Sequence, residues 1–126
     1  MELNYWLLAI VIVILIVTRF IPVKGITNIT PTEAKEKFKQ KNVQFIDVRT
    51  PGEYTRNHQL PFRNIPLYEL TQRVNELNKT KDVVVICQSG IRSSKAARVL
   101  KKHGFNQIFN VKGGMSAWKR MKMQNN

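Results

Sequence analysis

The chain is poor in several residue types that would widen its chemistry. It has one cysteine, Cys87, which excludes an intramolecular disulfide. Its two histidines have no ligand spacing, so no metal site and no cofactor are expected. Acids are scarce: eight Asp and Glu face 21 Lys and Arg, and the net charge is +13. That balance favours anionic partners, with nucleic acid, lipid headgroups and small anionic substrates all in play. Long apolar runs are limited to one, near the N-terminus, which excludes a polytopic membrane protein. A length of 126 residues excludes a two-domain enzyme. Internal repeats and low-complexity segments are absent.

From Leu3 to Ile21 only Asn4, Thr18 and Arg19 are polar. A helix there comes close to the ~30 Å of a hydrocarbon core, with Tyr5 and Trp6 at one interface and Arg19 snorkelling at the other. The start Met-Glu-Leu-Asn has no positive region, and no small-residue cleavage site follows. A retained transmembrane anchor is therefore expected rather than a cleaved signal. Arg19 and Lys24 follow the run and Glu2 precedes it, which predicts a single-pass protein of the cell membrane with its domain cytoplasmic. An unpaired cysteine agrees with a reducing compartment. The expected organisation is a transmembrane helix at 3–21, a linker at 22–25, a domain at 26–122 and a tail at 123–126.

Within the domain, Thr30-Pro31-Thr32-Glu33 and Thr50-Pro51-Gly52-Glu53 both read as helix starts, with a hydroxyl cap, Pro at the first position and Glu three residues after the cap. The first helix should reach about Gln40 and the second about Asn57. Val43 to Val48 reads as a buried strand. Leu67, Leu70, Val74 and Leu77 keep helical spacing after Pro66. Val83-Val84-Val85-Ile86 is β-branched without alternation, which predicts a central parallel strand covered on both faces. Ser93 or Ser94 should cap a helix that ends at His103-Gly104. Ile108 to Val111 reads as a last strand, and Gly113-Gly114 turns into a helix carrying Trp118. Strands alternating with helices at these spacings mean an α/β fold with a mainly parallel sheet.

In open parallel sheets ligands bind beyond the carboxyl ends of the strands. Cys87 stands there, ahead of Gln88-Ser89-Gly90-Ile91-Arg92-Ser93 and a helix. Converging backbone N–H groups, the helix dipole and Arg92 all favour a thiolate and would hold an anion attached to its sulfur. His58 reads as a surface residue rather than as the partner of a Cys–His pair.

These residues resemble the rhodanese-like domain family of sulfurtransferases. The resemblance runs through Ile46-Asp47-Val48-Arg49 with Pro51 and Glu53-Tyr54, Asn64-Ile65-Pro66-Leu67, the Cys-x-x-Gly-x-Arg-Ser loop, and Lys112-Gly113-Gly114 with Ala117-Trp118. It implies a five-stranded mainly parallel sheet with helices on both faces. It also implies a thiosulfate sulfurtransferase-like enzyme that carries sulfane sulfur as a Cys87 persulfide. Arg92 then holds an anionic donor, such as thiosulfate or a persulfide, and Gln88, Ser89, Gly90, Ile91 and Ser93 cradle the outer sulfur. Asp47 and Arg49 support the site, more as structure than as chemistry. The acceptor is a thiol, cyanide or a protein persulfide carrier. The family often has Gly-Ala where Pro61-Phe62 stands here, which alters a neighbouring loop.

Two other classes compete. A phosphatase or arsenate reductase of related fold places five residues between its Cys and Arg, whereas four lie between Cys87 and Arg92. A shorter ring suits a single sulfur better than a tetrahedral oxyanion, and no second thiol is present to resolve a reductase intermediate. A non-catalytic or regulatory binding module at the membrane would have no need to keep Cys87 with Arg92. Lys95, Arg98 and Lys102 share a helix face without interleaved aromatics, so no direct nucleic-acid partner is expected. The chain is expected to be a monomer.

Overall fold

The computed structural model describes residues 4–20 and 23–125. An N-terminal helix, α1 (Tyr5–Phe20), is followed by β1 (Ile26–Ile29), α2 (Pro31–Glu36), β2 (Val43–Asp47) and α3 (Pro51–Arg56). Then come β3 (Arg63–Asn64), α4 (Leu67–Arg73), β4 (Asp82–Ile86), α5 (Ile91–Lys102), β5 (Ile108–Val111) and α6 (Gly114–Gln124). Single 3₁₀ turns extend α2 and α4.

The expected membrane span is not borne out. Helix α1 has 16 residues, about 24 Å at ~1.5 Å per residue. No helix of the described residues is long and apolar enough to cross a membrane. Among the described residues the apolar stretch therefore does not form a helix of spanning length. The single-pass placement and the cytoplasmic orientation drawn from Arg19 and Lys24 fall with it. The ends of that stretch, Leu3 and Ile21, and Pro22 of the linker lie outside the described residues, as does Asn126 of the tail. Side chains from Tyr5 to Arg19 are exposed, and neither core cluster takes a residue from α1.

All five strands are parallel, in the order β1-β5-β4-β2-β3. Strand β4 lies at the centre, as its β-branched run predicts, and Val83 to Ile86 are fully buried. Each such side chain contributes about 1.5–3 kcal/mol by leaving water. Their sides alternate. Val83 and Val85 pack with Leu70, Ala96, Ala97 and Leu100 beneath α4 and α5. Val84 and Ile86 pack with Ala34, Phe62, Met115 and Trp118 beneath α2 and α6. Cys87 continues the period of two and joins the α4–α5 side, so the strand itself aims the thiol under α5.

Both capping boxes form: Thr30 with Glu33, and Thr50 with Glu53. The start of α5 differs from expectation. Its cap is Gly90, at φ +105, and no serine caps it. Ser93 is buried inside the first turn, and its hydroxyl turns to the cysteine sulfur instead. Strand β1 was not expected from the sequence. Its burial pattern leaves Thr27 and Asn28 exposed, so the period-of-two signal is weak.

Candidate active site

Strand β4 delivers Cys87 to the carboxyl edge of the sheet at its centre. There the Gly90 N–H donates to Sγ at 3.0 Å, and the Ser93 hydroxyl lies 3.3 Å from it. Burial pushes the thiol up. The Ser93 hydroxyl and the backbone N–H groups of Ser93, Gly90 and Ser89 outweigh burial, leaving the thiol below its ordinary value. A buried sulfur ringed by donors is a site prepared for negative charge.

The loop is held from behind by the start of α6. Met115 N–H donates to the Cys87 carbonyl at 2.8 Å, and Ser116 N–H to the Gln88 carbonyl at 3.1 Å. These bonds occupy the loop's carbonyls and leave its amides free to face the sulfur. Such close approach requires Gly114, at φ +56, because a Cβ there would stand 2.3 Å from the Cys87 oxygen. Asn110 also reaches from β5 toward the Gly90 carbonyl at 3.5 Å and Ser94 Oγ at 3.4 Å.

Arg92 lies in the first turn of α5. Its guanidinium clasps the Glu53 carboxylate with two bonds, Nη1 to Oε1 at 2.6 Å and Nη2 to Oε2 at 2.9 Å. That fork holds Glu53 down to about 2, helped by the N–H and hydroxyl of Thr50. Arg92 and Glu53 are 39 residues apart, and no local spacing announces the pair. The Cys87 thiolate is also among the charges that stabilise the Arg92 cation.

Arg49 and Glu53, four residues apart, form no ion pair. Arg49 is buried and turns back to Asp47, with Nη2 to Oδ2 at 2.7 Å and Nε 3.0 Å from both carboxylate oxygens. It also donates to the Asn57 carbonyl at 2.6 Å, to the Glu53 carbonyl and to Gln88 Oε1. Asn64 joins the structure by donating to the carbonyls of Asp47 and Arg49. Asp47 and Arg49 thus brace the loop through Gln88. No hydrogen bond links either of them to the sulfur among the described residues.

A family model described as the rhodanese-like domain matches residues 30–121. The chain belongs to the rhodanese-like domain family. It is 44% identical over 89 residues to YqhL of Bacillus subtilis, a protein of uncharacterized function, covering 71% of each chain. A protein of Allochromatium vinosum named sulfurtransferase is 34% identical over 80 residues, covering 64% of this chain and 75% of that one. The crystal structure of a rhodanese-like domain protein from Staphylococcus aureus superposes with a TM-score of 0.68 at 34% identity, covering 73% of this chain and 90% of the other.

Within this rhodanese-like domain the expected loop residues divide by task. Ser89, Gly90 and Ser93 present donors to the sulfur. Gln88 turns its side chain the other way, between Arg49 and Ser116 Oγ. Ile91 is 67% exposed at the helix start and makes no contact with the sulfur by hydrogen bond. His58 is exposed, stacks on Tyr54 and bonds its carbonyl, away from the loop, as the sequence suggested. Among the described residues no cluster could hold a metal ion.

Proposed function

We propose that this rhodanese-like domain transfers sulfane sulfur through a persulfide on Cys87. The observation that carries the reading is the ring of donors on Cys87 Sγ, from Gly90 N–H and Ser93 Oγ, at the end of the central strand. The relative named sulfurtransferase supports it. The Cys87 thiolate attacks the outer sulfur of a donor such as thiosulfate. A sulfur–sulfur bond forms, and sulfite departs with the electron pair of the bond that breaks. The terminal persulfide anion is then stabilised by the same N–H groups that lowered the thiol. A nucleophile, cyanide or a thiolate, takes the outer sulfur and returns the thiolate, so electrons balance without an external oxidant.

Arg92 acts at the mouth of the loop. Its fork to Glu53 fixes the guanidinium, and its side chain is 35% exposed, so further N–H donors remain for a donor's anionic head. The four-residue spacing to Cys87 favours one sulfur atom over a phosphate, in line with amides that already close on the sulfur itself.

The test is intact mass after exposure to thiosulfate, followed by cyanide. Wild type should gain one sulfur and release it, with ping-pong kinetics. Cys87→Ser should do neither. Arg92→Ala should fold and lose turnover with thiosulfate, and Arg92→Lys should recover it in part. A wild type that takes up no sulfur yet hydrolyses an aryl phosphate overturns the reading.

A further inference from the structure

The chain carries a net charge of +13, yet the charges joined around the cysteine loop do not share that excess. Arg92 and Arg49 stand against Glu53, Asp47 and the Cys87 thiolate, two cations against three anions. Strand order brings them together. β2 ends at Asp47 and feeds α3, β4 ends at Ile86 and feeds the loop and α5, and the two strands are parallel neighbours. Glu53 in the first turn of α3 and Arg92 in the first turn of α5 therefore both stand at the carboxyl edge, as the sulfur does. Ser93, the residue after Arg92, has its hydroxyl 3.3 Å from Sγ. Glu53, the thiolate and Asp47, in that order, are the anions that stabilise the Arg92 cation. Carboxylate and sulfur thus share one guanidinium.

The fork between Glu53 and Arg92 has two effects on an incoming anion. Glu53 takes Nη1 and Nη2 end-on, at 2.6 and 2.9 Å. A donor is left the Nε side of the guanidinium, where Nε–H has no partner among the described residues. The carboxylate also offsets the charge of Arg92. Its side chain is 27% exposed, so water screens it only in part, and a dianion meets twice the repulsion that a monoanion meets. Held at about 2, the carboxyl stays charged throughout the neutral range, so the effect is constant there. Helix capping alone does not require this arrangement. Glu33 completes the same box at Thr30 and forms no ion pair among the described residues. We propose that Glu53 is a specificity-determining residue, which offsets Arg92 and turns the loop toward sulfur donors bearing a single negative charge in preference to dianions. The assignment rests on the sulfur-transfer reading and adds to it a selection by donor charge.

The probes are thiosulfate, a dianion, and methanethiosulfonate, a monoanion with a methyl group in place of one oxygen. Each yields its outer sulfur to the thiolate, sulfite or methanesulfinate leaves with the electron pair, and cyanide then takes the sulfur. In Glu53→Gln the ratio of kcat/KM for thiosulfate to that for methanethiosulfonate should rise roughly three- to tenfold, the effect of one nearby charge in partly screened surroundings. Gln keeps an oxygen for the Thr50 N–H, so the cap persists. Glu53→Asp keeps the charge and should stay near the wild-type ratio. Glu76→Gln removes an equal charge from the Arg63 and Arg73 cluster in the turn after α4, and should leave the ratio unchanged. An unchanged or lowered ratio in Glu53→Gln overturns the assignment, as does an equal rise in Glu76→Gln. Alkylation of Cys87 separates the two readings, because it needs no persulfide. The rate for iodoacetate, an anion, relative to neutral iodoacetamide should rise in Glu53→Gln by a similar factor. If Cys87 takes up no sulfur from either donor yet this alkylation ratio rises, the sulfur-transfer reading fails and charge selection at the loop stands. If sulfur transfer proceeds and neither ratio moves, the selection fails and the transfer stands.

Discussion

Replacing Gly114 with alanine tests whether α6 is what holds the cysteine loop. The new Cβ would come 2.3 Å from the Cys87 oxygen and 2.7 Å from the carbonyl carbon and oxygen of Gln88. These are backbone atoms, so no flexible side chain can absorb the clash. The left-handed φ of +56 adds about 1 kcal/mol for a residue with a Cβ. Separating α6 from the loop also weakens the bonds from Met115 N–H and Ser116 N–H, at about 1 kcal/mol each. The sum is about 3 kcal/mol, or a Tm lowered on the order of 12–24 °C for a domain of this size. Gly52 supplies the control. Nothing lies within 4 Å of its added Cβ and its φ is ordinary, so Gly52→Ala should gain about 0.4–1 kcal/mol. Differential scanning calorimetry of the two variants gives the comparison. Persulfide formation should slow in Gly114→Ala, at temperatures where it is folded, because the displaced loop no longer aims its amides at the sulfur. A Gly114→Ala protein that melts within about 3 °C of wild type would refute the argument.

Two further outcomes follow from the same geometry. Ser93→Ala removes the hydroxyl that lies 3.3 Å from Sγ and lowers the thiol, so the thiol should titrate higher and alkylate more slowly at neutral pH, while alkylation at high pH converges with wild type. An unshifted alkylation profile would assign the lowered thiol to the backbone amides alone. For Glu53, the folded carboxyl sits at about 2 against an ordinary 4.5, so its stabilisation is complete above pH ~4.5 and lost as the pH falls toward 2. With about a third of the Arg92 side chain exposed to screening solvent, Glu53→Gln should cost roughly 1 kcal/mol at pH 7, and urea titrations of the pair should converge near pH 2.

Much of the framework was legible locally. Capping boxes at Thr30 and Thr50, the β-branched run of β4 and the glycine at 104 act through neighbours three or four residues away, so their sequence spacing is their structure. The thiol's position followed from the same logic, since a strand ending in Cys-x-x-Gly before a helix can only place the sulfur at the sheet's carboxyl edge. Apolar composition misled at the N-terminus. It measures the run of residues, whereas crossing a bilayer depends on how many of them enter one helix, and α1 holds 16.

What the tertiary structure decided is who partners whom across the loop. Glu53 could have paired with Arg49 four residues away or with Arg92 across 39. Folding chose the latter because Asp47, buried on the same strand end, had already claimed Arg49. Ser93 looked like a cap and instead turned its hydroxyl to the sulfur, because Gly90 could take the left-handed turn and the helix started three residues sooner than a Ser93 cap, and four sooner than a Ser94 cap, would have set it. Gly114, Ser116 and Asn110 come from the last strand and helix, more than twenty residues beyond Cys87, with no spacing signal to connect them to it. The sequence determined a nucleophile at the end of a central strand. Only the packing of α3 and α6 against that strand end determined which charges surround it, because long-range pairing is settled by the competition of all neighbours for each polar group.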